Sequence, residues 1–137
     1  MNLIFENEYF KLGHEPELSI VLLKWKDFQS ISFEDYKIPF EKALEFQKNV
    51  SVDNFLTDVR IQGVIAPGFR KWFQDYPLQA SIEQGLKRTA IVSSANVFKK
   101  YYLNHIFNSS EKLGLPMKIF NTYEEALVWI KSFYKKI

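Results

Sequence analysis

The chain has 137 residues, of which 47% are hydrophobic and 25% are charged; these values are typical of one globular domain and exclude a disordered chain. The absence of cysteine excludes disulfides, thiolate metal sites and cysteine nucleophiles, and a net charge of +2 does not indicate nucleic acid or an anionic membrane as a partner. Because no apolar run approaches the ~18–20 residues of a membrane span, we predict one cytoplasmic domain over residues 1–137.

The N-terminal third is predicted to form a β-hairpin. Its first strand covers Tyr9–Leu12, to which Leu3–Phe5 could belong. The turn is predicted at Gly13–Glu17, because glycine is flexible and Pro16 restricts the residue before it. The second strand covers Leu18–Lys26, and its nearly continuous apolar run predicts burial on both faces.

The first helix is predicted to begin at Ser32. Its hydroxyl can cap the helix, and Glu34 and Asp35 suit the positive end of the helix dipole. Apolar residues at helical spacing follow: Phe33, Tyr36, Phe40 and Leu44. Pro39 removes one backbone amide from this stretch, so we predict a single helix that bends there.

The third predicted strand covers Asn54–Arg60. Side chains alternate along a strand, so Asp58 and Arg60 lie on the side opposite to Thr57 and Val59.

A broken helix is predicted to follow this strand. Pro67 suits the first helical position, and an aromatic stripe that contains Trp72 continues to Tyr76. Pro77 should end or bend the helix, with a second half over Leu78–Leu86.

The C-terminal third is predicted to alternate strands and helices. Thr89–Val92 forms a short buried strand, and Asn96 caps a helix that ends at Gly114. Met117–Phe120 forms the last strand, and Thr122–Glu125 matches a capping box at the start of the last helix.

The predicted order of elements is β-β-α-β-α-β-α-β-α, with about five strands and four helices. Strands that alternate with helices favour a mainly parallel sheet, to which the hairpin adds an antiparallel strand. We therefore predict a single α/β domain with a mixed sheet.

Three segments carry a resemblance to a known family. They are the hairpin end Trp25–Phe28, the strand end Thr57–Arg60 before a helix with Trp72 and Phe73, and the ending Lys118–Trp129. With the order of elements, they resemble the STAS fold of the sporulation anti-sigma-factor antagonists. They look more like the small stand-alone bacterial proteins grouped as STAS-like or CRAL-TRIO-like. The resemblance implies a STAS-like domain that serves as a non-catalytic regulatory module and binds protein partners.

The phospho-switch of this family does not carry over. In the phospho-regulated antagonists, a Ser or Thr lies at the start of the helix after the third strand, where phosphate benefits from the helix N-terminus. Here that region is Val64–Gly68, which contains no hydroxyl. No regulatory residue is therefore transferred.

Asp58 and Arg60 are the first candidate site, because they point to one face near the carboxyl end of a strand, where open α/β sheets bind ligands. In a functional interpretation, Asp58 orients the Arg60 guanidinium for an anion or a polar partner. In a structural interpretation, the two form an ion pair or the carboxylate holds the following loop. We favour the structural interpretation, since such pairs are common without function.

Three further residues are candidates for the same surface or a partner surface. Ser93 and Ser94 follow a strand and could line the rim beside Asp58, although ordinary helix capping also explains them. Trp72 belongs to an aromatic helix that could expose a patch to a partner, although a packed core is the simpler interpretation.

Other chemistry has little support. His14 and His105 have no second ligand at suitable spacing, so we predict no metal. Asp53 and Asp58 could act as acid and base, but carboxylates at arbitrary spacing are common. The sequence shows no nucleophile elbow and no phosphate loop, so no catalytic residue and no cofactor are predicted. Basic residues interleaved with aromatic residues, as in Phe69–Phe73, are explained by amphipathic helices, and we predict no nucleic-acid partner.

Two functions remain open. The first is a non-catalytic, STAS-like interaction module that self-associates as a homodimer or binds a protein partner. The second is a small carrier for an apolar or amphiphilic ligand held between the helices and the sheet. An enzyme is the third and less favoured class.

Overall fold

Six strands form one mixed sheet in the computed structural model, which describes residues 1–94 and 110–134 together with Asn104 and Asn108. The strands are β1 (Asn2–Glu6), β2 (Phe10–Glu15), β3 (Ile20–Trp25), β4 (Asn54–Asp58), β5 (Arg88–Val92) and β6 (Met117–Phe120). They are ordered β1-β2-β3-β4-β5-β6; β1, β2 and β3 are antiparallel neighbours, and β3 to β6 run parallel. The predicted α/β class, with a mixed sheet and an N-terminal hairpin, is confirmed.

Four helices are bounded within the described residues: α1 (Phe33–Gln47), α2 (Pro67–Asp75), α3 (Pro77–Glu83) and α4 (Tyr123–Ser132). Residues 110–112 are also helical, but most of the helix predicted between Asn96 and Gly114 lies outside the described residues. In the part of the chain that the structure describes, none of the helices has the length and apolarity that crossing a membrane requires.

The N-terminal region differs from the prediction in two ways. Leu3–Phe5 does not extend the next strand but belongs to β1, so the sheet has six strands instead of about five. The predicted turn at Gly13–Glu17 is wrong in its first part, because Gly13 to Glu15 continue β2 and the chain turns over residues 16–19. Gly13 serves a close approach instead: a Cβ there would lie 2.7 Å from the sulfur of Met1.

Local signals placed most helix boundaries correctly. The Ser32 hydroxyl accepts a hydrogen bond from the Asp35 amide, and α1 continues through Pro39 as predicted. Pro77 divides α2 from α3, although α3 ends at Glu83, before the predicted Leu86. Each of these signals acts within one helical turn, which is why the sequence alone reveals it.

The last strand and helix also follow their local signals. β6 has the predicted bounds, and Gly114 adopts the left-handed backbone expected of a helix stop, with φ of 75°. The Thr122 hydroxyl accepts a hydrogen bond from the Glu125 amide, which confirms the predicted cap of α4.

The sheet separates two apolar cores. On one face, here called the α1 face, side chains such as Leu23 and Trp25 pack with α1 and α3. On the opposite face, here called the α4 face, Leu56 and Val92 pack against Ile130 of α4. The β3 side chains are divided between both cores, which confirms the prediction that this strand is covered on both faces.

A polar network fixes the end of α4 to the amino-terminal ends of the parallel strands. Asn54, which is fully buried, donates to the Tyr134 hydroxyl over 2.9 Å, and Tyr134 donates to the Asp53 carboxylate over 3.0 Å. The Arg88 guanidinium donates to Asn54 over 2.6 Å and lies 4.0 Å above the Phe133 ring.

Gly63 provides a test of the loop between β4 and α2. A Cβ at Gly63 would overlap the carbonyl oxygen of Phe28, so Gly63→Ala should lower the free energy of unfolding by about 1–3 kcal/mol. Gly68 is the matched control, because it lies in α2 with nothing within 4 Å of an added Cβ. Gly68→Ala should leave stability unchanged or raise it by up to ~1 kcal/mol. Urea unfolding measures both; equal effects of the two substitutions would contradict the loop packing.

Candidate functional site

Two concave regions flank strand β4, one on each face of the sheet. β4 contributes to both because its side chains alternate. Asp58 lines a groove on the α4 face, together with Arg60 just beyond the strand. Thr57 and Val59 line a pocket on the α1 face. The predicted division of these four side chains between two sides is confirmed.

The groove on the α4 face has a volume of about 420 Å³. Strands β2, β3 and β4 form its floor, and Met1 and the first turn of α4 border it. Its lining residues are Met1, Lys11, Leu22, Lys24, Asp58, Arg60, Tyr123 and Glu124. This volume lies within the range of roughly 300–1,000 Å³ that is usual for ligand pockets.

Asp58 and Arg60 form a bidentate ion pair at this groove. The Arg60 guanidinium donates to one carboxylate oxygen of Asp58 over 3.1 Å and to the other over 2.8 Å. The Arg60 backbone amide donates to the first oxygen as well, over 3.1 Å. A hydrogen bond from the backbone amide to a carboxylate two residues earlier is typical of a turn. Accordingly, β4 ends at Asp58 and not at the predicted Arg60.

The ion pair keeps Asp58 ionised. Its burial disfavours the charged form, but the hydrogen bonds from Arg60 outweigh that effect and lower the pKa of Asp58, with a further contribution from Lys24. A general acid or base works best when its pKa lies near the working pH. Asp58 is therefore better suited to holding Arg60 than to transferring a proton.

The most unusual feature of the groove is a pair of opposed lysines. Lys11 of β2 and Lys24 of β3 are direct cross-strand partners, with Cα atoms roughly 4.5–5.5 Å apart. Their neighbours in the same row of the sheet, Glu6 and Asp58, already pair with Lys26 at 2.9 Å and with Arg60. Neither Lys11 nor Lys24 makes an ion pair with any residue that the structure describes.

The pocket on the α1 face is smaller and more apolar. About 60 Å³ of space lies between the sheet, α1 and α2. Its walls are mostly aromatic and aliphatic, with polar side chains between them: Trp25, Tyr36, Phe40, Phe55, Thr57, Val59, Gln62, Arg70, Phe73, Thr89, Ile91 and Met117. Tyr36 of α1 is buried and only 5% exposed, and it forms part of the wall of this pocket.

The other candidate residues from the sequence lie away from the groove. Trp72 packs its ring against Phe33, Tyr36 and Phe40 on the α1 face. Ser93 follows β5 at the carboxyl edge, but it is buried and its hydroxyl donates to the Ser94 carbonyl over 3.1 Å. Ser94 is exposed and, like Ser93, is not a lining residue of either region.

The structure also separates the two aspartates that the sequence offered as an acid–base pair. Asp53 lies just before β4 and accepts a hydrogen bond from Tyr134, whereas Asp58 is the last residue of β4. Five residues of extended chain span roughly 16 Å, which is too far for two carboxylates to share one reacting group. Across residues 1–94 and 110–134, no three His, Cys, Asp or Glu side chains cluster as a metal site would require.

Sequence reasoning missed Lys11, Lys24, Tyr123 and Glu124. Their only signal is position: Lys24 lies one residue before the end of β3, and Tyr123 and Glu124 begin α4. The pairing of Lys11 with Lys24 depends on the hairpin register, which the misplaced turn concealed.

Comparison of the chain with protein-family models, with curated proteins and with solved structures finds no match. The STAS-like relationship therefore stays a prediction.

Replacement of Asp58 tests the ion pair through its pH dependence. Because the pKa of Asp58 is lowered in the folded state, its contribution is present above the unfolded value of about 3.9 and is lost as the pH falls through the folded pKa. Asp58→Asn should cost about 1 kcal/mol at pH 7, and this deficit should shrink below about pH 4. Urea unfolding from neutral to acid pH measures it.

Asp27→Asn is the matched control, because Asp27 is exposed and has no ion pair within the described part of the chain. It should leave the unfolding curve unchanged. A deficit of Asp58→Asn that stays constant at every pH would contradict the role of the charged pair.

Proposed function

We propose that this protein is a non-catalytic interaction module that binds an acidic segment of a partner protein in the groove on the α4 face. The observation that carries the proposal is the Lys11–Lys24 pair. Like charges directly opposite each other in neighbouring strands destabilise a sheet. An anionic group bound between the two lysines would relieve that repulsion.

The charges around the groove favour an anionic partner. Arg60 is matched by Asp58, and Lys26 is matched by Glu6, so these pairs contribute little net charge. Lys11 and Lys24 remain, and both are exposed at the groove. Glu124 at the rim offsets only part of their charge. Carboxylates from a partner are the simplest complement, since complementary charge steers association and selects partners.

The apolar part of the groove favours a peptide over a bare ion. Leu22 lines the floor beside Lys24, and Met1 lies over Gly13 at one border. A segment that alternates carboxylates with aliphatic side chains would contact both the lysines and this floor. The groove volume accommodates a few side chains of such a segment, not a whole domain.

The STAS-like resemblance supports the same class of function, because it implies a module that works by binding protein partners. The chain lacks a hydroxyl in Val64–Gly68, so the proposed binding does not depend on phosphorylation there. The opposed lysines are a separate basis for recognition and do not require the family relationship.

The carrier function is the second candidate. Its supporting observation is the pocket between the helices and the sheet, which has polar and apolar walls. The pocket holds about 60 Å³, well below the roughly 300–1,000 Å³ of sites for larger ligands. A carrier of lipid-sized molecules would therefore need α1 and α2 to separate from the sheet.

Binding of defined peptides tests the groove. A fluorescent peptide of Glu-Glu-Leu repeats should bind, and its Gln-Gln-Leu counterpart should bind at least ~10-fold more weakly. Replacing Lys11 and Lys24 together with glutamine should weaken binding of the acidic peptide by about 10-fold, and added salt should do the same. Fluorescence anisotropy at fixed ionic strength measures each affinity.

Lys118→Gln is the matched control. Lys118 is an exposed strand lysine in the same cross-strand row as Ala90 of the α4 face, but it is outside the groove. It should leave peptide affinity unchanged. Equal weakening by Lys118→Gln would show only general charge attraction, and equal binding of the two peptides would show that the carboxylates contribute nothing. Either result would overturn the proposal.

Self-association is a separate prediction. We expect a homodimer at high protein concentration, which sedimentation equilibrium measures directly. A monomer mass at all concentrations would contradict it without affecting the proposed peptide groove.

A further inference from the structure

The turn between β2 and β3 presents a carboxylate that the described part of the chain does not pair. Residues 16–19 form this turn, and Pro16 and Glu17 at its tip are exposed. Glu17 makes no ion pair with any residue that the structure describes. Around it, the segment from Glu15 to Leu18 places carboxylates beside the aliphatic side chains of proline and leucine. This is the composition that the groove on the α4 face is proposed to recognise.

Hydrogen bonds hold the turn in a fixed shape. The Ser19 amide donates to the Pro16 carbonyl over 3.2 Å, which closes the turn. Ser19 has a φ of 53°, in the left-handed region, and its hydroxyl accepts a hydrogen bond from the Asp53 amide over 2.9 Å. At the tip, the Glu17 amide donates to the Glu15 carboxylate over 3.1 Å. A segment that is already ordered loses little conformational entropy on binding, which favours this turn as a ligand.

The turn cannot enter the groove of its own chain. Lys11 pairs with Lys24 near one end of the hairpin, whereas Glu15 pairs with Ile20 at the other end, next to the turn. Four positions along an extended strand span roughly 13–14 Å. The two strands stay paired over this whole distance, so the hairpin cannot fold back on itself. Only a turn from another molecule can reach the lysines.

The size of the groove favours a turn over acidic surfaces formed by helices. An α-helix with its side chains is about 10–12 Å across, which is wide for a groove of about 420 Å³. This disfavours exposed carboxylates that lie on helices, such as Glu41 of α1. Several other carboxylates already have a lysine partner, namely Glu6, Glu34, Asp53 and Asp75. The narrow turn with Glu17 therefore complements the opposed lysines in both charge and size.

We propose that the segment bound in the groove is the β2–β3 turn of a second copy of this chain. The inference rests on the proposed function, because it names the partner of that groove. The Glu17 carboxylate binds between Lys11 and Lys24, and Pro16 packs against Leu22. The two surfaces lie at opposite ends of the hairpin, so copies join head to tail and each dimer keeps one unused turn and one unused groove. The homodimer expected at high concentration is then the first step of a longer assembly.

Sedimentation equilibrium at low ionic strength tests this assembly. The natural chain should associate with a Kd on the order of 0.1–1 mM, because the contact is small, and its average mass should exceed that of a dimer above this concentration. Glu17→Gln should weaken association by about 10-fold, and so should joint replacement of Lys11 and Lys24 with glutamine. Glu41→Gln is the matched control, because Glu41 is exposed and has no ion pair within the described residues. It should associate like the natural chain.

A mixture of two variants distinguishes this head-to-tail contact from any other dimer. Glu17→Gln keeps an intact groove, and the variant with both lysines replaced keeps an intact turn. Each should be monomeric alone at a concentration at which the natural chain associates. Mixed in equal amounts, they should form a dimer and nothing larger, because only one matching turn and groove remain. A mixture that stays monomeric would overturn the proposal.

The outcomes also separate this proposal from the peptide groove itself. If the natural chain stays monomeric while the Glu-Glu-Leu peptide binds, the second copy is not the partner and the groove is retained. If Glu17→Gln and Glu41→Gln associate equally, self-association belongs to another surface, and the proposal is again overturned. If association depends on Glu17 although the peptide does not bind, the general recognition of acidic segments is wrong and the groove is specific for this turn.

Discussion

Strand β4 constrains both concave regions, because its side chains point alternately to the α4 face and to the α1 face of the sheet. Parallel pairing with β3 and β5 on its two sides fixes its register. A slip by one residue would move Leu56 out of the core on the α4 face and bring Thr57 into it. The same slip would exchange Asp58, in the charged groove, with Val59, in the apolar pocket. Correct packing of the core and correct placement of the two sites are therefore one requirement.

Uneven coverage of the two faces explains why the groove is open. Helix α4 packs on β4, β5 and β6. The chain at its C-terminal end is held at the amino-terminal end of β4 by the hydrogen bond between Asn54 and Tyr134. Within the described residues, its first turn reaches only the border of the groove, so the surface of β2 and β3 beyond it stays accessible. Exposed lysines can occupy this part of the sheet, whereas Leu56 and Val92 beneath α4 must be apolar.

The sequence predicted features that depend on near neighbours and missed those that depend on distant ones. Ser32, Pro77 and Thr122 set their helix boundaries within a few residues, and all three were identified correctly. Gly13 was misinterpreted as a turn residue because its real constraint, the side chain of Met1, comes from the residue just before β1, which is distant in sequence. The Asp58–Arg60 ion pair was one of the interpretations that the sequence offered, because its members are only two positions apart. The opposed lysines were not predicted, because they are thirteen positions apart and the turn between them was misplaced.

Helical periodicity identified Tyr36 as a buried residue, but periodicity reports only which side of a helix faces the core. The surroundings of Tyr36 depend on side chains from β3, β4 and α2, which no pattern within α1 encodes. Lys11 and Lys24 are less favourable for stability than a simple replacement such as Thr, because like charges lie directly opposite each other in neighbouring strands. Sequences that specify only a fold have no reason to keep such residues. Their occurrence beside Asp58, at the carboxyl end of β4, is the physical reason to regard that part of the sheet as the functional part of the molecule.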